Sequence, residues 1–169
     1  MGGLTGRGLS RLSRPIPKTP QEENGFFWGK GRQPNPNFGD TVGEYSGRDY
    51  YRGKCGGPIK NLSWEETKIS KDGIATVKKH ISRFEKTAAN TKMIERLERI
   101  ERGEIEPTDY DKRYYTHEIR EYERFGEIGI PDNQRDTYED WNNAHSATLE
   151  DYKVNDIDQP IYHPDADID

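Results

Sequence analysis

The residues with the clearest potential for chemistry are two histidines and a glutamate in the C-terminal half of the chain. His117 lies four residues before Glu121 in the segment YYTHEIREYERFG, and His145 lies in WNNAHSATLEDY. Positions i and i+4 share one face of a helix, so the carboxylate of Glu121 can contact the imidazole of His117. A neighbouring carboxylate orients an imidazole and raises its pKa toward neutrality, as a general acid or base requires. These three residues are therefore the candidate catalytic residues.

Three functions fit these residues, and the sequence leaves all of them open. The first is a metal-independent ribonuclease without a cofactor, in which the 2′-hydroxyl of RNA is the nucleophile and His117 and His145 exchange protons. Glu121 would then orient His117, and Arg120 or Arg124 would stabilise the charge on the reacting phosphate. The second is a metal-dependent nuclease or hydrolase, in which His117, Glu121 and His145 bind a divalent ion such as zinc. The third is a non-enzymatic module that binds a partner protein.

Helical periodicity predicts different environments for the histidines. His117 lies on a polar helix face, opposite an apolar stripe that consists of Tyr115, Ile119 and Tyr122. His145 and His80 each lie on the apolar side of their own helix, where burial is expected. The segment HEIRE, which begins at His117, does not form the zinc motif HExxH, because its last position is a glutamate.

Four helices are predicted from residue 70 onward. Polar residues that can cap them are Ser70 or Asp72, Asn90, Thr108 and Thr137. The last three helices are expected to end near Gly103, Gly126 and Lys153. Before them, Gly- and Pro-rich sequence predicts a coil, with one or two short strands or a hairpin around Asp49–Arg52 and Ile59–Trp64.

The expected fold class is therefore mainly α, with α+β as the alternative. Residues 1–20 are predicted to be a flexible leader, and residues 21–169 a single domain. Within this domain, residues 21–69 form the coil or hairpin and residues 70–169 the helical part. No run of about 18 apolar residues is present, so no membrane-spanning segment is predicted.

Charge is distributed unevenly along the chain, whose formal net charge is -5. Residues 1–60 contain 10 Lys and Arg against 5 Asp and Glu, whereas residues 106–169 contain 6 against 18. This asymmetry favours a basic surface and an acidic surface with different partners. The basic part would bind a nucleic acid, most simply RNA, through phosphate pairing and base stacking. The candidate substrate-binding residues are Trp28, Tyr50, Tyr51 and Arg52.

The Gly-rich segment GGLTGRG and the stretches YYTHEIREYERFGEIGIP and EDWNNAHSATLEDYKV resemble parts of the C-terminal toxin domains of polymorphic bacterial toxins. That group includes contact-dependent growth inhibition and Rhs-type effectors. The resemblance covers roughly residues 20–169 and implies an enzyme, most often a nuclease, that is secreted as part of a larger effector. Such an enzyme acts in the cytoplasm of a competing cell and is neutralised by a cognate immunity protein.

Overall fold

Four helices and one short hairpin make up the part of the chain that the structure describes. A computed structural model describes residues 38–166, so the predicted leader, Trp28 and the rest of the N-terminal coil lie outside the described residues. The elements are β1 (Thr41–Val42), β2 (Asp49–Tyr50), α1 (Lys71–Ile81), α2 (Ala88–Glu101), α3 (Asp109–Ile128) and α4 (Tyr138–Tyr152). The prediction of a mainly helical fold is confirmed. No helix within residues 38–166 is long and apolar enough to cross a membrane.

Each helix begins at a serine or threonine whose hydroxyl accepts a hydrogen bond from the backbone N–H three residues later. These residues are Ser70, Thr87, Thr108 and Thr137. The predicted cap of α2, Asn90, is wrong: Thr87 caps this helix and accepts a hydrogen bond from the Asn90 N–H. The side chain of Asn90 instead points into the core, where its Oδ1 accepts hydrogen bonds from the hydroxyls of Tyr114 and Tyr162.

Glycines in left-handed conformation end α2 and α3. Gly103 has φ 78° and Gly129 has φ 97°, a region that glycine reaches without steric cost. The predicted stop near Gly126 is two residues too early, because α3 continues to Ile128 and Gly129 forms its C-cap.

The two strands pair in antiparallel register, with Thr41 opposite Tyr50 and Val42 opposite Asp49. A short hairpin and its strand at Asp49–Tyr50 are therefore confirmed, but the partner strand is Thr41–Val42, which was not predicted, and the predicted region Ile59–Trp64 is an irregular segment. This segment runs along α4 because Asp151 binds its backbone at two points. The Asp151 carboxylate accepts a hydrogen bond from the Lys60 N–H at 2.6 Å, and the Asp151 carbonyl accepts one from the Leu62 N–H at 2.9 Å.

α3 occupies the centre of the molecule and packs against the other three helices. One apolar cluster lies between them, with Val77, Met93, Leu97, Tyr114 and Phe125 at its fully buried centre. α3 nevertheless buries seven ionisable side chains besides its aromatic residues: Asp111, Arg113, His117, Glu118, Arg120, Glu121 and Arg124. Charged side chains are stable inside a protein only when they are paired or bind a metal, so the partners of these residues indicate their roles.

Candidate metal centre

Three donor atoms from α3 and α4 meet at one point inside the molecule. His117 Nε2 lies 2.9 Å from His145 Nδ1, and each of these nitrogens lies 3.2 Å from Glu121 Oε2. The i,i+4 spacing on α3 brings His117 beside Glu121, and the packing of α4 against α3 adds His145. The sequence prediction that these three residues share a site is therefore matched by their geometry.

The size of this triangle suits a metal ion. Two ligands held about 2.1 Å from an ion lie about 3.0 Å apart at a right angle and about 3.4 Å apart at the tetrahedral angle. The three separations of 2.9, 3.2 and 3.2 Å lie close to this interval. One N–H can link the two ring nitrogens, or one of them to Glu121, whereas a metal ion binds all three donor atoms at once.

A second carboxylate fixes the orientation of His145 from the other side of its ring. Asp156 Oδ2 lies 3.2 Å from His145 Nε2, and Arg48 forms a two-pronged ion pair with Asp156 at 3.2 and 2.8 Å. The ring of Trp141 stacks on His145 with centroids 4.5 Å apart and planes 18° from parallel. A neutral His145 that donates from Nε2 to Asp156 presents the lone pair of Nδ1 to the triangle, an arrangement common around metal-binding histidines.

Glu121 also contacts a third histidine through its other oxygen. His80 Nε2, on α1, lies 2.7 Å from Glu121 Oε1 and 3.8 Å from Oε1 of Glu118. His80, Glu118 and Glu121 are all fully buried, and their donor atoms lie within 4.8 Å of one another. The edges of three aromatic rings surround His80, those of Phe84, Tyr122 and Phe125.

Burial and mutual contact favour an ionised Glu121 beside uncharged His117 and His80 rings. Burial lowers the pKa of His117, and the neighbouring His145 lowers it further. Burial likewise lowers the pKa of His80, against the opposing effect of Glu121. Burial alone would raise the pKa of Glu121, but its close contacts with His117, His145 and His80 hold that pKa well below its ordinary value. Deprotonated imidazoles and an ionised carboxylate are the forms that bind metals.

The predicted exposure of His117 is wrong, because its ring is buried with only 2% of the residue exposed. The predicted apolar stripe is the less buried side of α3, since Ile119 and Tyr122 are only partly buried. The helical wheel assigned the polar face to solvent, whereas here the polar residues pair with α1 and α4 inside the molecule. The predictions that His80 and His145 are buried are confirmed, because both are 0% exposed.

Arg120 and Arg124 lie away from the triangle and serve another purpose. Both bind Asp151 on α4, at 2.8 Å from Nε of Arg120 and at 2.8 Å from Nη2 of Arg124. The remaining donors of Arg124 reach backbone carbonyls of the loop before Ile59, those of Cys55, Gly56, Gly57 and Pro58. Their guanidinium groups are thus engaged in holding this loop on α3 and α4, and neither faces a site where a phosphate would react.

The predicted substrate-binding residues that the structure describes, Tyr50, Tyr51 and Arg52, differ in exposure and do not form one open stacking surface. Tyr50 is 2% exposed, and burial raises the pKa of its hydroxyl to about 12, so its ring is not available for base stacking. Tyr51 is partly buried, and the Nζ of Lys54 lies 5.0 Å above its ring. Arg52 is exposed and begins a short 3-10 helix, Arg52–Lys54, that follows β2. Trp28 lies outside the described residues.

A narrow cleft reaches His117 from the surface. Its walls come from α3, α4, the irregular segment before α1 and the C-terminal segment, and include Trp64, Arg113, Thr116, Leu149, Val154 and Ile161. Arg113 Nε donates to the Pro160 carbonyl at 3.0 Å, and its guanidinium lies 4.9 Å from the centre of the Trp64 ring. The innermost space is about 10 Å³, enough for about one water molecule.

Sequence reasoning missed several residues of this centre. Asp156 and Arg48 contribute through tertiary contacts more than 100 residues apart, for which the sequence carries no local signal. Glu118 and the link from His80 to Glu121 were also missed. A signal for them was present in HEIRE, which places two glutamates three residues apart beside a histidine and so on one side of a helix.

No family model matches the chain, and comparisons with curated proteins and with solved structures gave no match. The chemistry of the centre must therefore be inferred from its own geometry and surroundings.

Proposed function

We propose that this protein is a metal-dependent hydrolase that acts on nucleic acid, with His117, Glu121 and His145 as its metal ligands. The observation that carries the proposal is the triangle of donor atoms with sides of 2.9, 3.2 and 3.2 Å. Two imidazoles and one carboxylate are a common catalytic zinc set, which leaves a further coordination position for water.

The same contacts favour metal-dependent over metal-independent chemistry. An acid and a base that cleave RNA must lie on either side of the reacting phosphate. His117 and His145 are instead separated by 2.9 Å, which leaves no room for a phosphate group between them. A metal ion would need no such gap, because both ring nitrogens could bind the same ion.

A bound zinc ion would supply a water molecule with a pKa near 7, which is a nucleophile at neutral pH. The cleft beside His117 is the side from which water would approach, although only His117 of the three ligands lines it. The segment that carries Trp64 forms one wall of this cleft and must move outward before a nucleotide can approach. Arg113, at the same wall, is placed to pair with a phosphate once this movement has occurred.

A nucleic-acid substrate is supported by two features of the sequence. One is the excess of basic residues in residues 1–60, with 10 Lys and Arg against 5 Asp and Glu. The other is the resemblance to effector toxin domains, many of which are nucleases. On this proposal the chain is delivered into a competing bacterium, acts in the cytoplasm and is held inactive in the producing cell by an immunity protein.

The test begins with the full chain purified, stripped with a chelator and reloaded with zinc, manganese or iron(II). Iron is included because two histidines and one carboxylate also bind it in oxygenases. Degradation of total RNA and of duplex DNA is then followed on gels. We expect activity that the chelator abolishes and one metal restores, and that is lost in Glu121→Gln and His145→Ala. His163→Ala is the matched control, since His163 lies outside the centre.

Two outcomes would contradict parts of the proposal. Degradation that persists after metal removal would favour metal-independent chemistry. Tight metal binding without any degradation would favour a metal that only stabilises the fold, an alternative supported by the burial of all three ligands. Expression in bacteria adds a separate test of the toxin context: growth arrest that Glu121→Gln relieves is expected.

A further inference from the structure

The carboxylate of Glu121 lies between two sets of donor atoms, one completed by α4 and the other by α1. Its Oε2 faces His117 and His145, whereas its Oε1 lies 2.7 Å from His80 Nε2. Glu118, one turn earlier on α3, approaches the same His80 nitrogen at 3.8 Å. A carboxylate that offers one oxygen to each side is the usual bridge between two metal ions.

We propose that His80, Glu118 and Glu121 bind a second divalent cation, so that the centre is dinuclear with Glu121 as the bridging ligand. The proposal rests on the metal site of the proposed function, because Glu121 is shared between the two ions. The cation would be one that accepts a nitrogen and two carboxylate oxygens, such as zinc, manganese or iron(II).

The separations in this second set fit a single ion. Ligands about 2.1 Å from a metal lie about 3.0 Å apart at a right angle and about 4.2 Å apart when opposite. The distance of 3.8 Å from His80 Nε2 to Glu118 Oε1 falls within this interval, and that of 2.7 Å to Glu121 Oε1 lies just below it. All three donor atoms lie within 4.8 Å of one another.

Burial gives the physical reason for a cation at this place. Glu118 and Glu121 are both 0% exposed and lie on the side of α3 that faces His80. Burial removes the hydration of an ionised carboxylate such as that of Glu121. Among the described residues, the ion-pair partners of Glu121 are three imidazoles, and no lysine or arginine lies within 4.0 Å of its oxygens. A divalent cation beside Glu121 would offset the cost of burying its charge.

The chemistry of hydrolysis also favours two ions. In two-metal sites one ion holds the attacking water and the other stabilises the leaving oxygen of the phosphodiester. The water oxygen forms the new bond to phosphorus while the bond to the leaving oxygen breaks, and the proton of the water passes to a base or to solvent. Because Glu121 contacts both sets, such a pair of ions would share this carboxylate.

The experiment measures the number of cobalt(II) ions bound by the chelator-stripped full chain, by equilibrium dialysis and elemental analysis. We expect two per chain in the native sequence and one in Glu118→Gln, which keeps the size of the side chain. His80→Asn is a second variant with the same expected loss. His163→Ala is the control and should still bind two. Circular dichroism of each variant checks that it is folded.

Each outcome decides a different question. One ion per chain in the native sequence, unchanged in Glu118→Gln, would overturn the second site and leave the proposed function standing; His80 would then be the hydrogen-bond donor that positions Glu121. No bound ion at all would overturn both. Two ions with loss of one in Glu118→Gln, together with the electronic coupling of two neighbouring manganese(II) ions in electron paramagnetic resonance, would establish the dinuclear centre.

Discussion

Glu121 is an ionised carboxylate with no contact to solvent and three imidazole neighbours. Burial of an isolated charge costs several kcal/mol, and hydrogen bonds from neutral rings recover only part of this cost. The negative charge of Glu121 therefore favours a bound cation in the centre. His117 and His80, whose pKa values are lowered by burial, accept a metal without first losing a proton near neutral pH.

Asp156 is the residue that tests whether His145 is oriented for metal binding. In Asp156→Asn, the contact to His145 Nε2 loses its charge, and the amide can present either a donor or an acceptor to the ring. We expect the dissociation constant for zinc to rise by about 10- to 100-fold, as measured by competition with a chromophoric chelator.

The control for Asp156→Asn is the same substitution two residues later. Asp158 is exposed, so Asp158→Asn should leave the zinc affinity unchanged. Equal affinities of both variants and the native chain would show that Asp156 serves only its ion pair with Arg48.

At the scale of elements, α3 shows what a helical wheel can and cannot predict. Its start was predicted correctly because the capping box of Thr108 and Asp111 is a local interaction. Its orientation was predicted wrongly because the wheel treats charge as a sign of solvent. Eleven of its residues are buried, and several charged ones pair across helices. Those pairings depend on residues such as Asp151 and His80, which periodicity cannot connect to α3.

The start of α3 also contains a pH-sensitive ion pair. Asp111 accepts two hydrogen bonds from Arg96, at 2.8 and 2.9 Å, in addition to those from Thr108. Burial would raise the pKa of Asp111, but these hydrogen bonds lower it below its ordinary value. The carboxylate of Asp111 therefore has a higher pKa in the unfolded chain than in the folded chain. The stability that its ion pair with Arg96 contributes is present at neutral pH and is lost as the pH falls below about 4.

Asp111→Asn should reduce the free energy of unfolding at pH 7 by about 3 kcal/mol, because Arg96 loses its buried partner. The difference from the native chain should shrink as the pH falls to 3, because the unfolded chain is then protonated at Asp111 and the contribution of the pair declines. Urea unfolding at both pH values measures this. Asp109→Asn, in the same turn but exposed, is the control, and an equal loss in both variants would contradict the role of the pair.

The loop anchored by Arg124 gives a prediction about backbone geometry. Gly56 has φ 81°, and a Cβ there would lie 2.4 Å from the Arg124 carbonyl oxygen. Gly57 has φ 100° but nothing within 4 Å, and Gly53 has neither constraint. Thermal unfolding should rank the alanine variants accordingly: about 2 kcal/mol or more lost for Gly56→Ala, about 1 kcal/mol for Gly57→Ala and little for Gly53→Ala. Similar losses at Gly56 and Gly57 would mean that the loop can move away from α3.

At the scale of the whole molecule, the sequence predicted the four helices and two of the buried histidines. It also placed Glu121 beside His117 from their i,i+4 spacing, and grouped His145 with them because acid-base or metal chemistry needs a second imidazole. It did not predict that Arg120 and Arg124 bind Asp151, because this contact depends on how α4 packs against α3. A small apolar core leaves this packing dependent on buried polar contacts, and a metal at their centre would add to its stability.

Metal binding should therefore raise the thermal stability of the whole chain. A ligand that binds the folded state alone adds about 2.7 kcal/mol when its concentration is 100 times its dissociation constant. For a chain of 169 residues this corresponds to an increase of about 5–10 °C in the melting temperature. Scanning calorimetry of the stripped chain, with and without added zinc at pH 7.5, measures the increase.

The variants decide whether that increase comes from the centre. Zinc ions also bind exposed histidines and carboxylates, but such weak binding adds little at micromolar metal concentrations. The increase should vanish in a double variant, His117→Ala with His145→Ala, and persist in His163→Ala, whose substituted ring lies outside the centre. An increase that survives in the double variant would place the stabilising metal elsewhere on the protein. Its loss in His163→Ala would show that the C-terminal segment, whose Tyr162 is bonded to Asn90, contributes a ligand that we have not assigned.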